Sequence, residues 1–279
     1  TDRAEGTRKL YSITMRRIVE HFGEHPVDDL DPEDLQLVLD NEMAGPGAHN
    51  IFVAVLGILY TFARRNRKTA LEPTKDIRKR NVGEHSAWPE HVLEAALESE
   101  HDRTRLATHL LYFTGQRIGD VCTMRWSDIR GDAIFVSPKK TRRKKGPRTL
   151  RIPLHSELAA ELARWPKRGL TILTNVNGEP MGDQVIRREL KEHGDRFGVK
   201  VVPHGLRKNA VISLLEAGAS IAETAAITDQ TYAVVEHYAR QVDQARLGSA
   251  AILKLENRRG TGKRVGKPAP KVNENNGGR

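Results

Sequence analysis

The stretch His204-Gly205-Leu206-Arg207, followed about thirty residues later by Val235-Glu236-His237-Tyr238-Ala239-Arg240, sets a proton carrier, an arginine and a tyrosine within one short segment. Between them the pattern reads as helix from Leu206 to Ala217, stopped by Gly218, and then as a shorter helix from Ile221 to Thr228 capped by Ser220. Those three residue types are what phosphodiester chemistry without a metal requires. A phenol ionises only near pH ~10, so attack at neutral pH needs cations that hold the phosphate and a base beside the hydroxyl. An HxxR tetrapeptide alone occurs by chance in many proteins, so its meaning depends on what accompanies it.

Upstream, Thr114-Gly115-Gln116-Arg117-Ile118-Gly119-Asp120 offers an arginine at a helix start with an acid three residues on, which places both side chains on one face. The arginine can clamp phosphate and the acid can brace it. Next, Ala133 to Val136 and Arg148 to Pro153 read as two strands around a strongly cationic turn, Lys139 to Lys145. Helical segments are expected from Arg103 to Met124, with a break at Thr114-Gly115, near Leu158, and from Asp183 to His193. Trp88-Pro89-Glu90 opens the first helix of this region.

In this order and spacing, Arg117, the basic hairpin, His204, Arg207 and Tyr238 resemble the tyrosine recombinases, also called phage integrases, and the resemblance covers about residues 5 to 255. It implies a mainly α fold with a small β-sheet: an N-terminal helical core-binding domain plus an α+β catalytic domain, the two closing around duplex DNA. It also implies that Tyr238 attacks the scissile phosphate to give a 3′-phosphotyrosyl link and a free 5′-hydroxyl. Arg117 and Arg207 would hold nonbridging oxygens, for which a planar fork suits better than a point charge. His204 would assist proton transfer and Asp120 would support the arginines. Lys140 would protonate the leaving oxygen, with Lys139 as the alternative. No cofactor or divalent metal enters the chemistry. The implied partners are double-stranded DNA, three further copies of the chain in a tetramer on DNA, with a monomer or weak oligomer when free, and accessory DNA-bending or directionality factors.

One position departs from the family. His or Trp usually stands nine residues before the tyrosine, and here that count reaches Asp229 with Gln230 beside it. A carboxylate repels phosphate, so a one-residue contraction that lets Gln230 donate a hydrogen bond is the preferred reading. The departure keeps two alternatives open: a catalytically impaired relative that binds DNA architecturally, and a monomeric relaxing enzyme of the type IB topoisomerase kind.

The 279 residues suit two domains, and a formal net charge of +10 draws polyanions to the surface. Nucleic acid is the expected partner, with Lys139, Arg142, Arg143, Lys144, Lys145, Arg64 and Arg65 as candidate phosphate contacts. No apolar run approaches a spanning helix and no signal peptide is recognised, so a soluble protein of the bacterial or phage-infected cytoplasm is expected. The start at Thr1 without methionine suggests a fragment or a processed chain.

Residues 1–82 read as the first domain, with a linker to about 86, residues 87–256 as the second, and 257–279 as a disordered basic tail. In the first domain Leu10, Ile13, Ile18 and Phe22 suit one helical face. Asp31-Pro32 starts a helix with Leu35, Val38 and Leu39 on its apolar stripe, Gly45-Pro46-Gly47 breaks the chain, and Asn50 to Arg67 forms a third helix. After the tyrosine, Leu247, Ala250, Ala251, Leu253 and Leu255 read as an amphipathic helix, most simply a core helix of its own domain; in the family such a helix often docks on a neighbouring copy. Tyr232 competes with Tyr238, but the spacing from Arg207 favours Tyr238. His237 reads as surface or packing, and the lone Cys122 as a small buried side chain.

Overall fold

Asp31 begins a helix as its side chain allows: the carboxylate accepts the Glu33 N–H at 2.7 Å, and Pro32 takes the first position, where no N–H is needed. The computed structural model describes residues 5–43, 45–139, 146, 148–240 and 244–259, and the chain divides into two units, Thr1–Glu84 and His85–Arg279.

The first unit is helical: α1 (Glu5–Phe22), α2 (Pro32–Asn41) and α3 (Pro46–Arg65). Leu35 and Leu39 of α2 are fully buried against Ile18, Phe52, Val55 and Leu56. Each such side chain contributes roughly 1.5–3 kcal/mol on leaving water. Two expectations are corrected here. Helices α2 and α3 are separated before Gly45-Pro46-Gly47 as expected, but α3 runs Pro46–Arg65 and not Asn50 to Arg67, because Gly45 is its N-cap and Pro46 its first residue. On α1, Ile18 is buried but Leu10 and Ile13 are 46% and 42% exposed, and Thr14 takes the inward position by returning its hydroxyl to the Leu10 carbonyl at 3.0 Å.

Helix α3 has the length and composition of a membrane span, with a mean hydropathy of 1.4, contrary to the expectation that no run reaches that length. Its apolar residues Phe52, Val53, Val55, Leu56 and Tyr60 instead make the core of this unit, and it ends in Arg64 and Arg65. Arg64 is ion-paired with Glu72, and Arg65 is exposed.

The second unit runs α4 (Glu90–Leu97), α5 (Asp102–Thr114), α6 (Ile118–Val121), β1 (Ile129–Arg130), β2 (Ala133–Val136), β3 (Leu150–Pro153), α7 (Ser156–Arg164), α8 (Asp183–Arg196), α9 (Pro203–Glu216), α10 (Ile221–Thr228), α11 (Tyr232–Ala239) and α12 (Gln244–Arg259). The sheet is antiparallel in the order β1-β2-β3, with Ile134 opposite Ile152 and Val136 opposite Leu150. Strand β1 is an addition to the two expected strands; it pairs back through a tight turn in which Gly131 takes φ 60°. Leu106, Leu110 and Leu111 of α5 lie at the centre of the core, with Ile134 and Ile152 from the sheet and Leu206 from α9.

The ends of three helices bear on function. Helix α9 starts at Pro203 with Val202 as N-cap, so His204 lies inside the first turn and does not cap it. Ser220 and Glu223 close a reciprocal capping box on α10. Helix α12 extends to Arg259, beyond the expected start of the tail at 257, and residues 260–279 lie outside the described ones. Among the described side chains of α12, Ile252, Leu253 and Leu255 are 57%, 58% and 45% exposed, so Leu253 and Leu255 do not take the buried places their periodicity suggests.

Candidate active site

Two glycines let the backbone close in around Arg207. Gly115 ends α5 with φ 60°, and a Cβ there would sit 2.8 Å from Thr228 Cγ2. Gly205 packs under Trp88, where a Cβ would sit 2.5 Å from the indole Cδ1. Asn209 fastens the same spot, accepting the Trp88 N–H at 2.8 Å and donating to its carbonyl at 2.9 Å. The first turn of α9 is therefore fixed in position, and Arg207 with it.

Arg207 is 2% exposed and donates to the carbonyls of Gly115 at 2.7 Å and Thr228 at 2.6 Å. Burial, with the nearby positive Arg117, pulls its guanidinium down to about 10, while Asp229, Asp120 and Tyr238 act in the opposite sense. It stays charged at neutral pH. Gln116 joins the same two helix ends, donating to the Thr114 carbonyl at 3.1 Å and the Ile227 carbonyl at 2.8 Å.

Arg117 is the N-cap residue of α6, and its Nη1 is buried with no hydrogen-bond partner among the described residues. Asp120 does not brace it as expected. Asp120 Oδ1 accepts the backbone N–H of Lys139 at 3.0 Å, which fixes the base of the cationic turn to α6, and Oδ2 is buried without a hydrogen-bond partner among the described residues. Arg117 Nη1 faces Asp229 Oδ2 at 3.9 Å.

The expectation for Gln230 is corrected in the same way. Asp229, in a left-handed conformation at φ 55° just after α10, turns its carboxylate wholly inward between Arg117 and Arg148. It is Asp229 that meets the arginines, while the Gln230 Oε1 is buried without a hydrogen-bond partner among the described residues. The carboxylate is tolerated because Arg148 pairs with its Oδ1. In sequence Arg148 reads only as the start of a strand, and β3 in fact begins at Leu150.

Tyr238 is buried in α11 at 9% exposure and packs with Val211, Leu215, Ala225 and Val235. Lys208 Nζ lies 5.2 Å from its ring centroid. Nothing local in the sequence singles out Lys208, because α9 is buried nearly all round and lacks the single apolar stripe that would show which way each residue points. Tyr232 is 63% exposed and His237 is exposed. His204 is exposed, its ring 5.7 Å from that of His85. Cys122 is buried, which pushes its thiol up to about 11.

Arg117, Asp120, Arg207, Asp229 and Tyr238 are thus brought together, and Arg148 joins them. Lys139 is exposed at the edge of the hairpin, while Lys140, Arg142, Arg143, Lys144 and Lys145 lie outside the described residues. Arg64 and Arg65 belong to the other unit.

Fold and site define an α+β domain in which a buried arginine lies near a tyrosine, a second arginine and two buried carboxylates. The chain belongs to the phage integrase family, whose sequence model matches residues 89–244. It is 31% identical over 126 residues to the tyrosine recombinase XerA of Pyrococcus furiosus, a match covering 43% of each chain. The chain therefore spans less than half the length of that curated relative. A lambda integrase(75-356) dimer bound to a COC′ core site has the same fold, with a TM-score of 0.74, 18% identity, and coverage of 85% of this chain and 89% of that one. A lambda integrase tetramer bound to a Holliday junction gives a TM-score of 0.72 at 20% identity, covering 85% of this chain and 72% of that one.

Proposed function

We propose that this protein is a site-specific DNA recombinase that cuts and rejoins strands through a 3′-phosphotyrosyl intermediate, in the integration or excision of a mobile element. The observation that carries the reading is Arg207. A fully buried guanidinium is costly unless an anion is to be held, and this one is fixed by the carbonyls at two helix C-termini beside a buried tyrosine.

In the proposed reaction the Tyr238 oxygen bonds to phosphorus as the bond to the 5′-oxygen breaks. Arg117 and Arg207 bind the nonbridging oxygens as charge grows on them. Lys140, or Lys139 in its stead, protonates the leaving 5′-oxygen, and His204 assists proton transfer. The phosphotyrosyl ester retains the bond energy, so a partner strand's 5′-hydroxyl can reverse the step without nucleotide hydrolysis. Asp120 acts through the hairpin base by holding the Lys139 backbone.

The first unit is proposed as the core-binding domain and the second as the catalytic domain, acting on duplex DNA within a bacterial or phage-infected cell. Assembly as a tetramer is supported by the lambda integrase tetramer of the same fold and by the exposed apolar residues of α12. A second reading, DNA binding without cleavage, is favoured by the buried Asp229 carboxylate facing Arg117.

A nicked suicide substrate carrying the cognate site separates the two. The recombinase gives a covalent protein–DNA band that disappears in Tyr238→Phe. Duplex binding with no covalent band, under conditions where other recombinases react, favours the DNA-binding reading.

A further inference from the structure

The charges around Tyr238 are unevenly supplied. Asp120 and Asp229 are buried carboxylates, and Arg117 and Arg207 are the two arginines of the family motif. Those four charges cancel, and Lys208 lies against the ring of Tyr238 itself. Arginines and carboxylates in equal number give no net attraction for a phosphodiester anion or for a transition state in which negative charge builds up. Lys208 supplies one positive charge beside the tyrosine ring, and Arg148 adds a second beside the carboxylate that faces Arg117.

The placement of Arg148 suits that part. Its Nη2 donates to Asp229 Oδ1, yet its side chain is 39% exposed, whereas the carboxylate it holds has no exposure at all. A guanidinium has five N–H donors in a rigid fork, so one edge can rest on a carboxylate while the others face a second anion. Asp229 in turn lies 3.9 Å from Arg117 Nη1, which is buried and has no hydrogen-bond partner among the described residues. One carboxylate thus aligns two guanidiniums in the same pocket.

We propose that Arg148 is a third phosphate-binding arginine of this site and therefore a catalytic residue, with Asp229 as the positioning residue that holds it. This rests on the reading of Tyr238 as the nucleophile. Asp229 then does not occupy the phosphate's place; it anchors the cation that a histidine or tryptophan at this position would not need. The departure from the family pattern and the unexpected ion pair become one device.

The test is single-turnover formation of the covalent product on the nicked substrate at saturating protein. It compares the parent with Arg148→Ala, Arg148→Lys and Asp229→Asn, on a normal scissile phosphate and on a neutral methylphosphonate. Loss of one transition-state donor slows such steps roughly 100-fold or more, so Arg148→Ala falls by that factor on phosphate while still binding duplex. On the methylphosphonate, which carries no charge to neutralise, the gap narrows at least about tenfold, a change that a merely structural role would not produce. Arg148→Lys falls between parent and Arg148→Ala, and Asp229→Asn is slowed because the arginine loses its anchor. Rates of Arg148→Ala equal to the parent, an undiminished gap on methylphosphonate, or an accelerated Asp229→Asn each overturn the proposal. If the parent itself gives no Tyr238-dependent product, the functional reading fails and the inference with it; product formed equally by Arg148→Ala overturns the inference alone.

Discussion

Gly205 is small because Trp88 stands over it, and the fit is tight enough to test. A Cβ at 205 would lie 2.5 Å from the indole Cδ1 and 2.6 Å from the Ser86 carbonyl oxygen, and backbone cannot yield as the end of a flexible side chain can. Overpacking of this kind costs about 1–3 kcal/mol, so Gly205→Ala lowers the melting temperature, and it displaces the α9 turn that presents His204 and Arg207. Thermal unfolding followed by circular dichroism checks this, and melting at the parent temperature would show that the turn is not held by Trp88. Arg207 itself is legible in the sequence because its partners in the motif are close in the chain or recur in a known order. The Arg148–Asp229 pair is not legible: the two residues are 81 positions apart, and nothing local marks a strand-flanking arginine as the partner of a carboxylate after α10.

Helices declare themselves best where the signal is local. Asp31 before Pro32, and Ser220 with Glu223, satisfy backbone donors within three residues, and both caps form in the structure as the residue types require. Whether an apolar face is buried is a different question, answered by elements far along the chain. On that point periodicity misleads for Leu10 and Ile13 of α1, and for Leu253 and Leu255 of α12. Helix α12 reaches the rest of its unit through Lys254 Nζ on the Gly218 carbonyl at 3.1 Å, while Ile252, Leu253 and Leu255 stay in water. Changing these three to serine shifts the stability of the isolated chain by no more than about 0.5 kcal/mol per residue, the usual range for exposed positions. The same triple variant loses the proposed tetramer on DNA in analytical ultracentrifugation, because an apolar patch left exposed in the free chain marks a surface for a partner. A large fall in melting temperature would instead place these side chains in the core of their own unit.

Across the whole molecule the excess of 46 basic over 36 acidic residues draws polyanions, and under the proposed function it sets the first encounter with DNA before any specific recognition forms. The cations do not contribute equally. Arg64 is paired with Glu72 and Arg207 is buried, so neither offers a freely exposed charge at the outer surface. The run Arg142, Arg143, Lys144 and Lys145 is different in sequence: four consecutive positive charges with no acid among them, close to Lys139, whose backbone is fixed to Asp120. A run of this density that contacts duplex DNA releases counterions whatever the base sequence. Replacing all four by alanine therefore weakens non-cognate and cognate duplex alike and flattens the plot of log K against log salt by roughly 0.9 for each phosphate that is no longer neutralised. The arginines proposed to hold the scissile phosphate are untouched by the change, so covalent product at saturating protein and low salt remains within a few-fold of the parent. Titrations of a fluorescent duplex across a range of salt concentrations decide the matter. An unchanged slope means the run does not reach phosphate; an unchanged slope with loss of covalent product means it serves the chemistry and not the encounter with DNA.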